Sequence, residues 1–173
     1  MVKAVVVDEP DGVPRVHDLA LPPVGDGDVR VRIAAAGVCH SDLSMINGTL
    51  APRFPLVLGH EAAGVVAEVG SAVSGLDLGT HVVLDWATPC RTCWFCTNDQ
   101  PWLCSAVEGA VAPDTGYRDG EQTYYSCMGM GAFSEEVVVP AKSAIPVPDT
   151  VPFDVSALLG CAVLTGVGAV RNT

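Results

Sequence analysis

The sequence predicts a mainly β domain, a barrel or sandwich of short strands followed by a short helical stretch. Brief apolar runs recur along the chain, and clusters of Gly, Pro and Asp separate them, which is the pattern of strands and turns. Size adds a third observation, because 173 residues with 49% hydrophobic content can bury one ordinary core. One domain of this class is therefore expected.

The strand predictions rest on the apolar runs, and the turn predictions rest on the polar clusters between them. In the range 28–38, Val29, Val31 and Ile33 alternate with arginines, which indicates a half-buried strand. The other predicted strands are 3–7, 62–70, 81–85 and 133–140, and the predicted turn clusters are 22–28, 70–79 and 112–120.

A helix is predicted after the strands, over residues 154–172. Apolar residues there take helical spacing, and Asp154 stands at the N-cap position. The longest apolar segment of the chain, 157–170, lies inside this helix and contains three glycines. It is shorter than the roughly 20 residues that a membrane helix needs, so no membrane partner is expected.

The net charge of the chain bears on its binding partners, and the N-terminal residues bear on its cellular location. The net charge is −11, from 20 acidic and 9 basic residues, and that sign repels phosphate backbones, so no nucleic-acid partner is expected. The first residues lack the basic start and the longer apolar run of a secretory signal. A cytoplasmic, reducing location is therefore expected, in which the cysteines do not form structural disulfides.

Four of the seven cysteines, Cys90, Cys93, Cys96 and Cys104, are crowded into one polar loop with the spacing C-x2-C-x2-C-x7-C. Thiolates at such spacing can surround one zinc ion as a closed tetrahedron, and this is the favoured interpretation. An iron–sulfur cluster is the alternative. The bacterial ferredoxin run continues with x3-C-P, however, whereas here the last gap is seven and Ser105 follows. The crowding disfavours thiols without a ligand role.

A second set of metal-ligating residues is scattered along the chain: Cys39 and His40, His60 and Glu61, and Cys161. Two Cys and one His, with a fourth position open to water or substrate, form a known catalytic zinc arrangement. Taken alone, Cys161 would more often be a core residue, because free cysteine is among the most buried residue types. His60 taken alone is balanced between a core role and a ligand role.

Three motifs together resemble one family. Glycines frame His60 and Glu61 as G-H-E-x2-G-x5-G, the run C-H-S-D begins at Cys39, and the four-cysteine loop follows. In this order and spacing, and over essentially the whole chain, they are similar to the zinc-dependent medium-chain alcohol dehydrogenases. The C-H-S-D run and segment 84–90 are most similar to the bacterial class III-like or nicotinoprotein subgroup.

The resemblance implies a GroES-like, partly open β-barrel as the catalytic domain, over residues 1–160. Residues 161–173 would begin a helix leading to a Rossmann domain, and the chain is expected to stop before that domain. The resemblance also implies two zinc ions per chain. Cys39, His60 and Cys161 would bind the catalytic zinc, and the four-cysteine loop would bind the structural zinc.

Residues beside these ligands take supporting roles in the family. The resemblance places Glu61 behind the zinc, as a transient or supporting ligand, although strand alternation alone would turn it to the opposite face as a solvated acid. Asp42 is a candidate to accept the second ring N–H of His60, and its alternative role is a helix cap. Ser41 resembles the residue that takes the alcohol proton, and its alternative is an ordinary N-cap.

Cofactor contacts follow from the same resemblance. His40 would contact the cofactor pyrophosphate, with a surface histidine as its alternative, and Thr165 would contact the nicotinamide ring. Ser44 stands where many relatives carry a histidine that passes the proton to solvent. The proton relay that begins at Ser41 is therefore expected to be shorter or water-mediated.

Substrate contacts are implied at Leu50, Trp86 and Met128, which fall where the family lines its substrate cleft. Each of them could instead be a core residue. Cys127 has no assigned role and is interpreted as a buried thiol.

The implied reaction is oxidation of a small-molecule alcohol to an aldehyde or ketone, with hydride passing to NAD. The G-V-G-A-V-R run at 166–171 does not match a dinucleotide-binding motif, because it lacks the third glycine and falls inside the predicted helix. The 173-residue chain alone is therefore expected to be nearly inactive, and its full-length relative to be a homo-oligomer. The alternative function is a non-catalytic zinc-binding or interaction module on the same fold.

Overall fold

Two five-stranded sheets form the body of the protein, and short helices lie at their margins. The structure is a computed structural model that describes residues 1–107 and 111–172. Its strands are β1 Val2–Val7, β2 Arg15–Leu19, β3 Asp28–Gly37, β4 Leu56–Val57, β5 Glu61–Val69, β6 His81–Leu84, β7 Asp114–Asp119, β8 Gln122–Ser126, β9 Glu136–Pro140 and β10 Ala144–Pro146. Its α-helices are α1 His40–Ile46, α2 Trp94–Thr97, α3 Phe153–Ser156 and α4 Ala162–Asn172.

The first sheet has the strand order β2-β1-β4-β8-β7, and the second has the order β10-β6-β5-β3-β9. Paired strands are antiparallel except for β4 and β8, which run parallel. An isolated bridge between Ala4 and Ser134 connects the sheets, which do not join into one closed barrel. The mainly β, partly open architecture that the sequence predicts is confirmed.

Strand β3 lies inside the second sheet and shows the alternation that predicted it. Val29 and Val31 have no exposed surface, whereas Arg30 is half-buried and Arg32 is exposed. The long pairing of β3 with β5 requires a glycine at position 64, because a Cβ on Gly64 would collide with the carbonyl oxygen of Arg32. This pairing brings the ends of β3 and β5 together, and the candidate ligands lie at those ends.

The five predicted strand ranges correspond to β1, β3, β5, β6 and β9. The turn cluster predicted over 112–120 is wrong, because β7 runs through it. Gly116, with φ of +96°, lies at an irregularity in the pairing of β7 with β8, and Tyr117 is only 2% exposed in the core of the first sheet. A single buried tyrosine among polar residues gives no alternating pattern, so the sequence did not reveal this strand.

The core beside the candidate site is a cluster beneath helix α1. Its buried members include Met45, Leu56, Leu58 and Cys127, and Phe133 packs against them. Met45 projects from α1, Leu56 from β4, and Cys127 from the 3-10 turn that follows β8. This cluster therefore fixes α1 against the first sheet and sets the position of the residues at its N-terminal end.

The helix predicted over 154–172 is broken in the structure. Helix α3 is followed by a 3-10 turn, Ala157–Gly160, and Cys161 then takes the non-helical angles φ −144° and ψ −69° before α4 begins. The turn packs so tightly that a Cβ on Gly160 would collide with the carbonyl oxygen of Leu84. The prediction of Asp154 as N-cap is also wrong, since Pro152 holds that position.

Helix α4 has no buried residue among those described, and its apolar side chains are exposed. Leu164 is 65%, Val167 is 50% and Val170 is 83% exposed. No single helix in residues 1–107 and 111–172 is long and apolar enough to cross a membrane. The pair Phe153–Gly160 and Ala162–Asn172, bent by 56°, reaches that length and composition only when its two parts are taken together.

We expect the 173-residue chain to self-associate through α4, because contiguous exposed apolar surface drives association. Val170→Glu should weaken this association, and Val13→Glu, at another exposed valine (73% exposed) outside α4, should leave it unchanged. Sedimentation velocity over a range of protein concentrations measures the effect. A wild-type chain that stays monomeric at high concentration would contradict the prediction.

Candidate metal centre and active site

Four side chains from three distant segments converge on one point of the structure. The ligand atoms of Cys39, His60, Glu61 and Cys161 all lie within 4.8 Å of one another. His60 and Glu61 are 0% and 1% exposed, and the two cysteines are half-buried. The scattered residues that the sequence suggested as one site are therefore brought together, and we refer to these four residues as the metal cluster.

Each segment places its ligand through local backbone structure. Cys39 is the N-cap of helix α1, directly after strand β3. His60 precedes β5, after a turn in which Gly59 takes φ of +90° and lies so close to Phe133 that a side chain would not fit. Cys161 stands in the break between the last helices. That non-helical position separates Cys161 from the apolar face on which the sequence placed it.

Asp42 holds two of these segments in place. Its Oδ1 accepts hydrogen bonds from His60 Nδ1 at 3.3 Å and from the Gly59 N–H at 3.2 Å, and its Oδ2 accepts one from the Cys39 N–H at 3.0 Å. The last bond is the helix-cap contact that the sequence left as an alternative, so Asp42 makes both predicted contacts. With Nδ1 engaged, His60 has Nε2 left for a ligand role.

The His60 and Asp42 pair is also coupled electrostatically. Burial opposes charge on both groups, but the hydrogen bond and the charge of Asp42 raise the pKa of His60 above its ordinary value. For Asp42, the hydrogen bonds from His60, Cys39 and Gly59 outweigh burial and hold the pKa of the carboxyl below its usual range. Asp42 is therefore a carboxylate, and the ring N–H of His60 points toward it.

The two cysteines of the metal cluster differ in acidity. Burial opposes ionisation of Cys39, but the Ser41 hydrogen bonds and the adjacent His60 lower the pKa of its thiol. Burial, together with the charges of Cys39 and Glu61, raises the pKa of Cys161 to about 12. A cation at the centre of the metal cluster would offset this repulsion among negative groups.

Two buried polar atoms in the metal cluster have no hydrogen-bond partner within the described residues: His60 Nε2 and Glu61 Oε2. An unpaired buried polar atom is costly, so each such atom calls for a partner. Two thiols, an imidazole and a carboxylate are donors that suit zinc. The residues of the metal cluster therefore fit the zinc ion that the family resemblance implies.

The interpretation of Glu61 as a solvated acid is wrong, because this side chain is buried in the metal cluster. Strand alternation misplaced it, since His60 lies before the first residue of β5 and does not follow the alternation of that strand. Glu61 lies opposite Gly37 in the pairing of β3 with β5, and a Cβ on Gly37 would come 2.5 Å from Glu61 Oε2. The absence of a side chain at position 37 makes room for the carboxylate.

The other predicted polar residues lie along helix α1 and in α4. Ser41 is half-buried, with its Oγ 3.6 Å from Cys39 Sγ. His40 is exposed, and its Nδ1 lies 3.4 Å from the hydroxyl of Ser44. Ser44 therefore contacts the residue predicted to bind a pyrophosphate. Thr165 is exposed on α4, one helical turn after Cys161, and its N–H donates to the Cys161 carbonyl at 2.9 Å.

The three predicted substrate residues differ in their relation to the metal cluster. Trp86 lies beside it, with its ring edge-on to the His60 ring and 6.3 Å between the ring centroids. Met128 takes φ of +48° and packs against the core cluster beneath α1, which gives it at least a core role. Leu50, in the turn after α1, is 38% exposed. Trp86 is thus in ring contact with His60 of the metal cluster, and the roles of all three residues stay predictions.

The four-cysteine loop forms a second, separate thiol group. The sulfurs of Cys90, Cys93, Cys96 and Cys104 all lie within 4.8 Å of one another. The Cys90 to Cys96 distance is 4.0 Å, and the Cys93 to Cys104 distance is 3.9 Å. Four thiolates at 2.3 Å from one central zinc would lie about 3.8 Å apart. These separations fit a single ion, whereas an iron–sulfur cluster would place several atoms between the sulfurs.

Hydrogen bonds within this loop favour the thiolate form of Cys90. Bonds from the side chain and the backbone N–H of Thr92 and from the N–H of Cys93 lower the pKa of Cys90 to about 5. Burial and the neighbouring thiols raise the pKa of Cys96 to about 11. Cys90 therefore loses its proton more easily than a free thiol, and Cys96 loses its proton less easily. Such a split is expected when four thiols lie close together and no cation offsets their negative charge.

Cys127, to which the sequence assigned no role, lies beside the residues that hold the metal cluster. It is fully buried, and its Sγ lies 3.7 Å from Asp42 Oδ1 and 3.8 Å from His60 Nδ1. Burial, and then the negative charge of Asp42, raise the pKa of this thiol. No spacing motif connects Cys127 to Asp42, 85 residues away, so the sequence carried no signal of this contact.

Comparison with known proteins agrees with this geometry. The alcohol dehydrogenase GroES-like domain family matches residues 25–149. The chain belongs to this family. It is 40% identical over 161 residues to a putative alcohol dehydrogenase D of Mycobacterium tuberculosis, covering 90% of this chain and 44% of that protein. The resemblance inferred from the cysteine and histidine motifs is confirmed.

Other alcohol dehydrogenases give the same result. An NDMA-dependent alcohol dehydrogenase of Amycolatopsis methanolica is 39% identical over 158 residues, covering 87% of this chain and 42% of that protein. An alcohol dehydrogenase zinc-binding domain protein from Burkholderia ambifaria superposes with a TM-score of 0.90 at 31% identity, covering 99% of this chain and 48% of that chain. This alcohol dehydrogenase domain spans less than half the length of these relatives.

The two thiol groups should bind metal independently. Cys93→Ser should lose one zinc and make loop 90–104 sensitive to protease, because binding energy at a structural metal is folding energy. Cys161→Ala should lose the other zinc and leave that loop resistant. Metal analysis of the purified variants, with limited proteolysis, measures both effects. Loss of both zinc ions in either variant would contradict two separate sites.

Zinc binding at the metal cluster should release protons. At pH 7 the thiol of Cys161, with its pKa raised to about 12, carries a proton that must leave before the sulfur can bind. The affinity should therefore fall as the pH falls. Calorimetric titration in buffers of different ionisation enthalpy measures the protons released, and Cys161→Ala, which should not hold this zinc, should lack the protons released at the metal cluster. Equal release in both proteins would show that Cys161 is not a ligand.

Proposed function

We propose that this chain is the zinc- and substrate-binding part of an alcohol dehydrogenase that oxidises an alcohol to an aldehyde or ketone. The observation that carries the proposal is the convergence of Cys39, His60 and Cys161 around an unpaired, buried His60 Nε2. A structural scaffold would not need a buried ring nitrogen with an unused lone pair at this place. The alcohol dehydrogenase relatives support the same activity, which we assign to the whole protein rather than to this chain alone.

Zinc held by Cys39, His60 and Cys161 would supply Lewis acidity toward an alcohol oxygen. Asp42 orients the His60 ring, so that Nε2 faces the metal cluster. Glu61 stands within reach as a transient fourth ligand or supporting residue. The second zinc would be held by the four-cysteine loop and would order that loop without taking part in the reaction.

The proton and the hydride leave the alcohol by different routes. Ser41, beside Cys39 and half-buried, accepts the hydroxyl proton in this proposal. As Ser41 takes this proton it passes its own hydroxyl proton on to water, so that the proposed relay is short and water-mediated. A nicotinamide cofactor, which the proposal takes to be NAD, would accept the hydride from the alcohol carbon. His40 would contact its pyrophosphate and Thr165 its ring.

The substrate is proposed to be a small alcohol with an apolar substituent. Trp86 presents its ring beside His60 and would form one wall of the cleft, with Leu50 and Met128 as further contacts. The whole protein is proposed to be a homo-oligomer in the reducing cytoplasm. Free thiols at all seven cysteines suit such a compartment.

Activity should require both this chain and a cofactor-binding partner domain. Positioning of two reactants supplies about 7–11 kcal/mol of barrier reduction, and the predicted contacts at His40 and Thr165 are too few to hold a dinucleotide. The 173-residue chain alone should therefore bind zinc but show no measurable oxidation. Fusion to the part of the Mycobacterium tuberculosis relative that this chain does not cover should restore NAD-dependent turnover of primary alcohols, followed at the reduced-nicotinamide absorbance.

Ser41→Ala in that fused protein should slow oxidation by about 10²–10⁴-fold, the usual contribution of a proton-transfer group. Its zinc content should stay unchanged. Ser74→Ala, at an exposed loop serine, is the matched control and should retain full activity. A fused protein that binds both zinc ions and nicotinamide but turns over no alcohol would favour a non-catalytic zinc-binding module.

A further inference from the structure

Cys127 is a buried thiol at the back of the metal cluster that the proposed reaction does not use. Its backbone is anchored, because its carbonyl accepts hydrogen bonds from the N–H groups of Met130 at 2.9 Å and Gly131 at 3.3 Å. The side chain is 0% exposed and lies in the core cluster beneath α1. The thiol therefore has a defined position and no access to water.

The distances around the Cys127 thiol indicate which atom accepts a hydrogen bond from its S–H group. Cys127 Sγ lies 3.7 Å from Asp42 Oδ1 and 3.8 Å from His60 Nδ1. A carboxylate only accepts hydrogen bonds, whereas His60 Nδ1 is engaged in donating to Asp42. The S–H group therefore points to Asp42 Oδ1.

The donors to Asp42 come from different parts of the fold. The bonds from Cys39 and from Gly59 and His60 arise in the two segments that carry candidate ligands. The Cys127 thiol arises from the turn after β8, in the first sheet. It is the one side-chain contact to Asp42 that comes from outside those segments among the hydrogen bonds of the described residues. It can therefore restrain the carboxylate independently of the ligands.

We propose that Cys127 is a positioning residue: its S–H donates to Asp42 Oδ1, holds the carboxylate in place, and thereby keeps His60 Nε2 directed at the metal cluster. The hydrogen bond itself does not depend on the proposed function. The consequence for metal affinity rests on the proposed function, because it assumes that the metal cluster binds zinc. The competing explanation is that Cys127 only fills space in the core.

Infrared spectroscopy of the metal-free protein tests the hydrogen bond directly, since S–H stretching absorbs where other protein groups do not. The band that disappears in Cys127→Ala is assigned to Cys127. We expect this band at lower wavenumber than that of a free thiol, and we expect Asp42→Asn to shift it. A Cys127 band at the free-thiol position that Asp42→Asn leaves unmoved would overturn the proposal.

Zinc affinity tests the positioning role. Competition with a chromogenic chelator should resolve two zinc ions in the wild-type chain, and the one missing from Cys161→Ala belongs to the metal cluster. Cys127→Ala should weaken this zinc by about 10–100-fold, the usual effect of losing a group that supports a metal ligand. The zinc of the four-cysteine loop should be unaffected, which provides an internal reference.

Two further variants separate positioning from packing. Cys127→Ser keeps a donor and should recover most of the lost affinity, although a hydroxyl is less suited than a thiol to an apolar core. Leu56→Val shortens a fully buried side chain of the same core cluster and cannot donate to Asp42, so it should lower the zinc affinity by much less than Cys127→Ala does. Cys127→Ala binding zinc as tightly as wild type, or more tightly than Cys127→Ser, would overturn the positioning role.

The two experiments also separate this inference from the proposed function. A wild-type chain that binds only the zinc of the four-cysteine loop would overturn the proposed function and, with it, the positioning role. The infrared result would still decide the hydrogen bond between Cys127 and Asp42, because it is measured without metal.

Discussion

The candidate active site depends on one buried carboxylate, that of Asp42. Its oxygens accept hydrogen bonds from the Cys39 N–H, the Gly59 N–H and the His60 ring, and so join the N-terminal end of α1 to the turn before β5. A buried charge is costly unless such donors surround it. The segments that supply these donors also carry candidate ligands, so satisfying Asp42 brings Cys39 and His60 together.

The four-cysteine loop is organised in a different way. Helix α2 within it has no buried residue among those described, and Trp94 and Trp102 are 65% and 75% exposed. With so little apolar burial, the loop depends on contacts among its own sulfurs and backbone N–H groups. The metal cluster, by contrast, lies against two sheets. The four-cysteine loop is therefore held mainly by its own contacts, whereas the metal cluster is held by the surrounding fold.

Cys161, the second cysteine of the metal cluster, shows how a break in regular structure can place a candidate ligand. Cys161 follows a tight turn, which packs against β6 because Gly160 has no side chain. The backbone of Cys161 is not helical, so it separates this turn from helix α4. Helix α4, beyond this break, leaves its apolar residues exposed. The chain spans less than half the length of its alcohol dehydrogenase relatives.

The sequence by itself determined the β class, the main strands and the four-cysteine loop, because alternation and cysteine spacing are local patterns. It also identified the family, since the motifs around Cys39, His60 and the four-cysteine loop occur in a fixed order. The strand β7 escaped detection because a single buried tyrosine among polar residues makes no periodic signal.

Only the tertiary structure showed where the side chains of Glu61, Cys161 and Cys127 lie. Strand alternation turned Glu61 to solvent, and helical spacing put Cys161 on an apolar face, but both lie at irregular ends of elements, where periodicity does not hold. Cys127 meets Asp42 across 85 residues through the packing of the first sheet against α1. Contacts over such distances depend on how the sheets pack, and no local sequence pattern records that packing.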